Sequence, residues 1–152
     1  GDKIRVAVCV DGSTHARRAF DTAVRSVDAA HDELHLIVAV QHENSSGLDT
    51  AFDDGIILEN PAERNHAMDK RADALVAAYE KLATEAGIKH VAGHVIRSDG
   101  DAQDEVVNSL KDNEITHVFV GSRGLGAIKR FFLGSFSTYL THHSPCTVTI
   151  VR

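Results

Sequence analysis

Two hydrophobic periodicities alternate along this chain. Ile4-Arg-Val-Ala-Val-Cys-Val10 is a β-branched run, apolar on both sides toward its end, and predicts a parallel strand covered on both faces. Asp11-Gly12-Ser13-Thr14 interrupts it with a turn and a helix N-cap. Ala16, Phe20, Ala23, Val24 and Val27 then recur at spacings of three and four, predicting a helix of about 16 residues. Leu34 to Val40 is a second β run without strict alternation. Pro61 suits the first turn of a long helix, with Met68, Ala72, Leu75, Tyr79, Leu82 and Ala86 on one face and Gly87 at its end. His90 to Ile96 is the third strand. Ser98-Asp-Gly-Asp101 caps a helix running to about Asn113, with Val106, Val107 and Leu110 turned inward. His117 to Val120 is the fourth strand. A glycine-rich segment leads into a last helix from about Phe136 to His143, stopped by Pro145, and Thr147-Val-Thr-Ile-Val151 is the fifth strand.

One stretch shows no sustained period. Gln41 to Asn60 carries Asn44-Ser-Ser-Gly47 and Asp53-Asp-Gly55, and reads as a long loop with room for a short helical turn. Loops of that length either cover a site or are disordered in their middle. Elsewhere strand and helix alternate strictly. That predicts an α/β fold, a doubly wound parallel sheet of five strands with four helices on its two faces, Rossmann-like. Right-handed crossovers leave few topologies, and the expected strand order is 3-2-1-4-5. No internal repeat, linker or second domain interrupts residues 1–152.

Composition narrows the class of partner. A chain of 152 residues with 43% hydrophobic and 25% charged residues is an ordinary globular composition. A formal net charge of −6 argues against nucleic acid, where a basic face is expected. No apolar run approaches the roughly 20 residues that span a bilayer, and no signal-peptide pattern is seen, so no membrane partner and a cytoplasmic location are expected. Cys9 and Cys146 form no CxxC pair and sit in strand-like contexts, which favours buried free thiols.

The glycine-rich segment carries the candidate chemistry. Its order is strand, glycine loop, helix N-terminus, where about four backbone N–H groups are unpaired and the helix dipole favours an anion. A Walker A loop needs Lys and a hydroxyl after its last glycine, but Ala127-Ile128 follow Gly126. The dinucleotide fingerprint belongs after the first strand, where Asp11-Gly-Ser-Thr14 stands instead. In open parallel sheets ligands bind beyond the carboxyl ends of the strands, where the winding reverses. The segments after strands one, two and four should converge there. Asp11 would bond ribose hydroxyls or hold Mg²⁺, or else serve only as a turn and cap residue. Arg123, Lys129 and Arg130 would supply phosphate-side charge, or else solvated surface. Phe131-Phe132 would be a lid or the hydrophobic anchor of the loop.

What the segment does contain is Gly121-x2-Gly124-x9-Gly134-Ser135. With Val-Gly-Ser-Arg-Gly-Leu-Gly around it, Ser-Pro-Cys-Thr-Val after it and Val-Asp-Gly-Ser near the start, the whole chain resembles the universal stress proteins, in particular their ATP-binding branch. That resemblance implies a set of nucleotide contacts. Asp11 would meet the ribose or a metal-bridged phosphate, with Val10 beneath the adenosine. Ala39 and Val120 would border the adenine. Gly121 and Gly124 would let the chain run close to ribose and phosphates. Gly134, Ser135, Phe136 and Ser137 would form the phosphate end, from backbone and hydroxyls alike. Ala39 is smaller than the aliphatic residue common there, which loosens the expected base pocket. The expected ligand is ATP, with AMP or ADP as alternatives, and Mg²⁺ would be held through Asp11.

The ten histidines raise a metal alternative. His90 and His94 share one face of a strand, and His142-His143 stand near a helix end, but neither pair brings the further ligands of a closed zinc site. Solvated or helix-end roles are the expectation. Hydrolysis needs a residue to orient or deprotonate water, and Asp11 is the one nearby candidate. The sequence therefore points to a nucleotide-binding regulatory module, with a slow ATPase and a nucleotide-free scaffold as alternatives. The uncharged β-branched strand 147–151, at a sheet edge in the expected order, is a pairing template. The resemblance implies a homodimer through it.

Overall fold

The computed structural model describes residues 3–43, 51–53, 56–58, 60–124 and 134–152. In chain order the elements are β1 (Arg5–Cys9), α1 (Thr14–Ser26), β2 (Glu33–Gln41), β3 (Ala51–Asp53), β4 (Ile56–Leu58), α2 (Pro61–Glu85), β5 (His90–Ser98), α3 (Ala102–Asp112), β6 (His117–Gly121), α4 (Ser135–His143) and β7 (Thr147–Val151). Five of the strands form one parallel sheet in the order β5-β2-β1-β6-β7. Counting only those five, this is the expected order 3-2-1-4-5. The chain starts at the sheet centre, winds outward to β5, and returns to lay β6 on the other side of β1.

The segment from 41 to 60 differs from the expected loop. β3 and β4 pair antiparallel, with Phe52 opposite Ile57. The two short apolar runs, Ala51-Phe52 and Ile56-Ile57-Leu58, flank Asp54-Gly55, a dipeptide favoured in two-residue hairpins. Triplets this short show almost no period, so the composition of the turn was the only signal.

Each predicted helix forms, and local chemistry fixes its start. Ser13 Oγ accepts the Ala16 N–H at 3.1 Å. Asn60 Oδ1 accepts the Glu63 N–H at 2.8 Å, with Pro61 as the first helical residue. Asp101 Oδ1 accepts the Gln103 N–H at 3.0 Å. Gly87, at φ 91°, ends α2 in a conformation that side chains rarely adopt. The buried stripe of α2 is Ala72, Val76, Tyr79 and Ala83, with the larger Met68, Leu75 and Leu82 flanking it. The stripe is rotated from the expected one because small residues let α2 approach the sheet closely.

The sheet separates two cores. Val6, Val8, Val10, Leu34, Leu36, Val38 and Val40 face α1 and α2, packing on Phe20 and Tyr79, whose rings meet edge to face at 5.0 Å. Ala7, Cys9, Ile37, Val118 and Val120 face the other way, under Val106 and Leu110 of α3 and Leu140 of α4. Strand alternation therefore decides which side of the sheet each residue near the C-terminal edge can serve.

Candidate functional site

The winding reverses between β1 and β6, and the expected segments meet there. Val10 donates its N–H to the Ile37 carbonyl at 2.9 Å, while its side chain is buried in the α1/α2 core. Only its backbone borders the site. The chain then turns at Gly12, with φ at 60°. Asp11 is half-buried, and its Oδ1 accepts the Ser13 N–H at 3.0 Å. Ala39 lies on the α3/α4 side, two residues beyond the buried Ile37, and is exposed. Its register partner is Ile96 of β5. Along β2 the core on this face thus stops at Ile37, and Ala39 is exposed beyond it.

The glycines of the motif have separate structural reasons. A Cβ at Gly121 would stand 2.8 Å from both the carbonyl carbon and the Cβ of His15, and 3.0 Å from the Ala16 nitrogen. Those atoms belong to the first turn of α1, on the side of the sheet away from Ala39. Close helix–strand packing therefore requires this glycine. A Cβ at Gly124 would instead collide with Oδ2 of Asp11. Gly124 lets the backbone pass directly over the carboxylate, which joins the glycine segment to the nucleoside end.

Ser122, which sequence reasoning passed over, organises the return of the chain. It is buried and donates its N–H to the Val151 carbonyl at 2.8 Å. Its own carbonyl accepts the Gly134 N–H at 2.7 Å. One hydrogen bond thus holds the start of α4 against the end of β6. Ser137 is 2% exposed, and its hydroxyl donates to the Gly134 carbonyl at 2.9 Å, with Ser122 O at 3.4 Å. That hydroxyl is engaged by backbone, so the contribution of Ser137 to an anion would come from its N–H. Ser122 stands inside Gly-Ser-Arg-Gly, but a lone serine in a loop carries no signal of this role.

At α4 the N-cap is Gly134, with no side-chain cap, in contrast to α1, α2 and α3. The N–H groups of Ser135, Phe136 and Ser137 make no hydrogen bond to the described residues, and Thr138 makes the first helical bond, to Gly134 O at 3.0 Å. Phe136 packs against the α3/α4 core and Ser135 is exposed. Arg123 is half-buried beside Gly124. Lys129, Arg130, Phe131 and Phe132 lie outside the described residues. The donor set suits a phosphate: a helix N-terminus whose first N–H groups are unpaired among the described residues, with Arg123 adjacent. The other end, Asp11 beside exposed Ala39, suits a ribose and a flat apolar base.

Several other titratable groups have structural partners. Burial, with the Cys146 thiol and the Asp11 carboxylate nearby, pushes the Cys9 thiol up to about 12, so it stays protonated beneath the site. His94 stacks on His35 with rings 5.1 Å apart, and His35 Nδ1 lies 2.9 Å from His94 Nε2. His35 was not foreseen, because its partner comes from register and not from sequence spacing. His142 and His143 bond the Thr138 and Tyr139 carbonyls at 2.9 and 3.0 Å at the end of α4. Among the described residues no group of three His, Cys, Asp or Glu side chains is arranged to hold a metal, and no helix is long and apolar enough to cross a membrane.

A five-stranded parallel sheet that reverses its winding between β1 and β6 defines a doubly wound, Rossmann-like α/β fold. The chain belongs to the universal stress protein family, whose model matches residues 4–152. It is 29% identical over 153 residues to universal stress protein YxiE of Bacillus subtilis, covering 97% of this chain and 98% of that one. Among solved structures, UspA of Lactobacillus plantarum superposes with a TM-score of 0.78 at 21% identity, covering 100% of this chain and 99% of that one. A universal stress protein family protein of Arabidopsis thaliana, solved with AMP bound, superposes with a TM-score of 0.67 at 18% identity, covering 97% and 90%.

Proposed function

We propose that this chain is an adenine-nucleotide-binding regulatory module, holding ATP between Asp11 and the N-terminus of α4. The observation that carries the reading is the pairing of two half-sites. The uncapped N-terminus of α4 is held against β6 by the Gly134–Ser122 hydrogen bond. Gly124 lies against Asp11, two residues beyond Cys9, whose register partner Ile37 stands two residues before the exposed Ala39. The phosphate end is the turn at Gly134 and the backbone N–H groups of Ser135, Phe136 and Ser137, with Arg123 beside them; the Gly134 N–H itself is taken by Ser122 O. Hydrogen bonds to a charged oxygen contribute about 1.5–3 kcal/mol each, so three donors offer roughly 4.5–9 kcal/mol toward the ~8 kcal/mol of micromolar binding. Asp11 takes the ribose, or Mg²⁺ bridging the phosphates. AMP bound in the Arabidopsis relative supports the nucleotide class.

Binding, not hydrolysis, is the assigned role. Oδ1 of Asp11 is committed to the turn at Ser13, which leaves it poorly placed as a general base. The purified protein, denatured and chromatographed, should release an adenine nucleotide, or should bind added ATP or AMP by calorimetry. A protein that is empty and binds neither sinks the reading. ADP accumulating faster with wild type than with Asp11→Ala would replace the module by a slow ATPase. We also propose a homodimer through β7, in the cytoplasm. β7 is an edge strand of Thr147-Val-Thr-Ile-Val151 that carries no charge, and both cysteines are free thiols. Light scattering that finds only monomer at micromolar concentration would remove the dimer.

A further inference from the structure

The exposed floor at Ala39 has a polar neighbour that the motif does not contain. The inward stripe of α3 is buried at Ala102, Val106 and Leu110, with Val107 packed at its margin. Gln103 falls on that same stripe, three and four residues before Val106 and Val107. It is half-buried, although an exposed first-turn position would leave a glutamine fully in water. Its N–H is taken by Asp101 Oδ1 at 3.0 Å, but its side-chain amide has no hydrogen-bond partner among the described residues.

Topology sets the level at which that amide stands. α3 follows β5 after the turn at residues 99–101, so its first turn lies at the C-terminal edge of the sheet. α3 packs on β2 and β5, the two strands that carry Ala39 and its register partner Ile96. Val106 and Leu110 cover Ile37 further down. Gln103, one turn closer to the C-terminal edge, therefore falls at the level of Ala39 and Ile96. Ala39 and Ile96 are register partners and form an apolar strip, and the helical stripe turns Gln103 toward the sheet at that level.

We infer that Gln103 reads the edge of the base, its amide accepting from the 6-amino group and donating to the adjacent ring nitrogen while the ring lies on Ala39 and Ile96. An amide matches that donor–acceptor pair with both of its polar atoms. The inference rests on the nucleotide reading of the site. It also gives Ala39 a purpose: a small residue there leaves room for the ring between the sheet and the amide.

The test compares AMP with purine ribonucleoside 5′-monophosphate, which lacks the 6-amino group, by calorimetry on the full chain. Wild type should prefer AMP, and Gln103→Leu, which keeps the side-chain size, should lower the AMP affinity about three- to tenfold, the equivalent of one ordinary hydrogen bond. Affinity for the amino-free nucleotide, which keeps the ring nitrogen and so only one of the two bonds, should fall distinctly less than that for AMP, and thermal unfolding of the two proteins should agree. An unchanged preference in Gln103→Leu overturns the role of Gln103 and leaves the nucleotide site standing. If wild type binds neither nucleotide nor ATP, the site reading itself fails and this inference with it. If Gln103→Leu weakens both nucleotides equally, the residue shapes the strip and does not read the base.

Discussion

Gly121→Ala tests whether the first glycine of the motif serves packing and not the ligand. The added Cβ would lie 2.8 Å from the carbonyl carbon and Cβ of His15 and 3.0 Å from the Ala16 nitrogen. Two of these three atoms are helix backbone, so no side-chain rotation relieves the contact. The first turn of α1 must move away from β6, disturbing Ala16, Ala19 and Phe20, which are buried against the sheet. Overpacking of this kind costs about 1–3 kcal/mol, out of a total stability of roughly 5–15 kcal/mol. For a domain of this size that should lower Tm by roughly 2–12 °C. Gly100→Ala is the control: a Cβ there has nothing within 4 Å, and its φ is not positive. Its Tm should be unchanged or slightly raised. Differential scanning calorimetry on both variants without nucleotide reads the difference. A Gly121→Ala protein as stable as wild type would refute the packing account, and loss of nucleotide affinity at that unchanged Tm would return Gly121 to the ligand.

Three further outcomes are expected. Gly124→Val should abolish nucleotide binding at nearly unchanged Tm, because its side chain displaces the Asp11 carboxylate and not backbone; retained affinity would mean that Asp11 is not the nucleoside contact. Ser137→Ala removes a buried hydroxyl from the Gly134 carbonyl, which should cost about 1 kcal/mol of stability and leave phosphate affinity within a factor of a few; a large affinity loss at constant Tm would show the hydroxyl on the ligand. Burial first, then the neighbouring His35, lowers the pKa of His94 below its usual 6.5, and burial alone lowers that of His117. The unfolded chain therefore takes up these protons more readily than the folded one. Stability should be full above about pH 6.5 and fall below it, by up to about 1.4 kcal/mol per pH unit for each histidine until its folded pKa is reached. Urea titrations between about pH 7.5 and pH 5.5 should show that loss, and His94→Gln should remove part of it; parallel curves for the two proteins would exclude His94 as a source.

Most of the fold was legible because both of its signals are local. Continuous β-branched runs gave the five strands, and the cap sequences at Ser13 and Asp101, with Pro61, gave three helix starts. The hairpin at residues 51–58 escaped because triplets carry almost no period. The glycine-led start of α4 was legible through the spacing of Gly121, Gly124 and Gly134 after a strand. Ser122 was not, because its carbonyl acts through a hydrogen bond 12 residues along the chain, which no spacing rule encodes.

The base end was the least legible part, and the reason is parity. On a strand, neighbouring residues face opposite sides, so a candidate list by position mixes both faces. Val10 and Gly121 belong to the α1 side by this rule, and Ala39 and Val120 to the α3 side, although all four were grouped around one ligand. Only the last two could offer side chains to a ligand on the α3 side. Register then adds what sequence cannot: Ile96 stands beside Ala39 through a strand pairing 57 residues apart, and His94 meets His35 in the same way. A site at a sheet edge is thus read from motifs along the loops and from register across the strands, and in this chain the second reading transfers the specificity question from the glycine loop to α3.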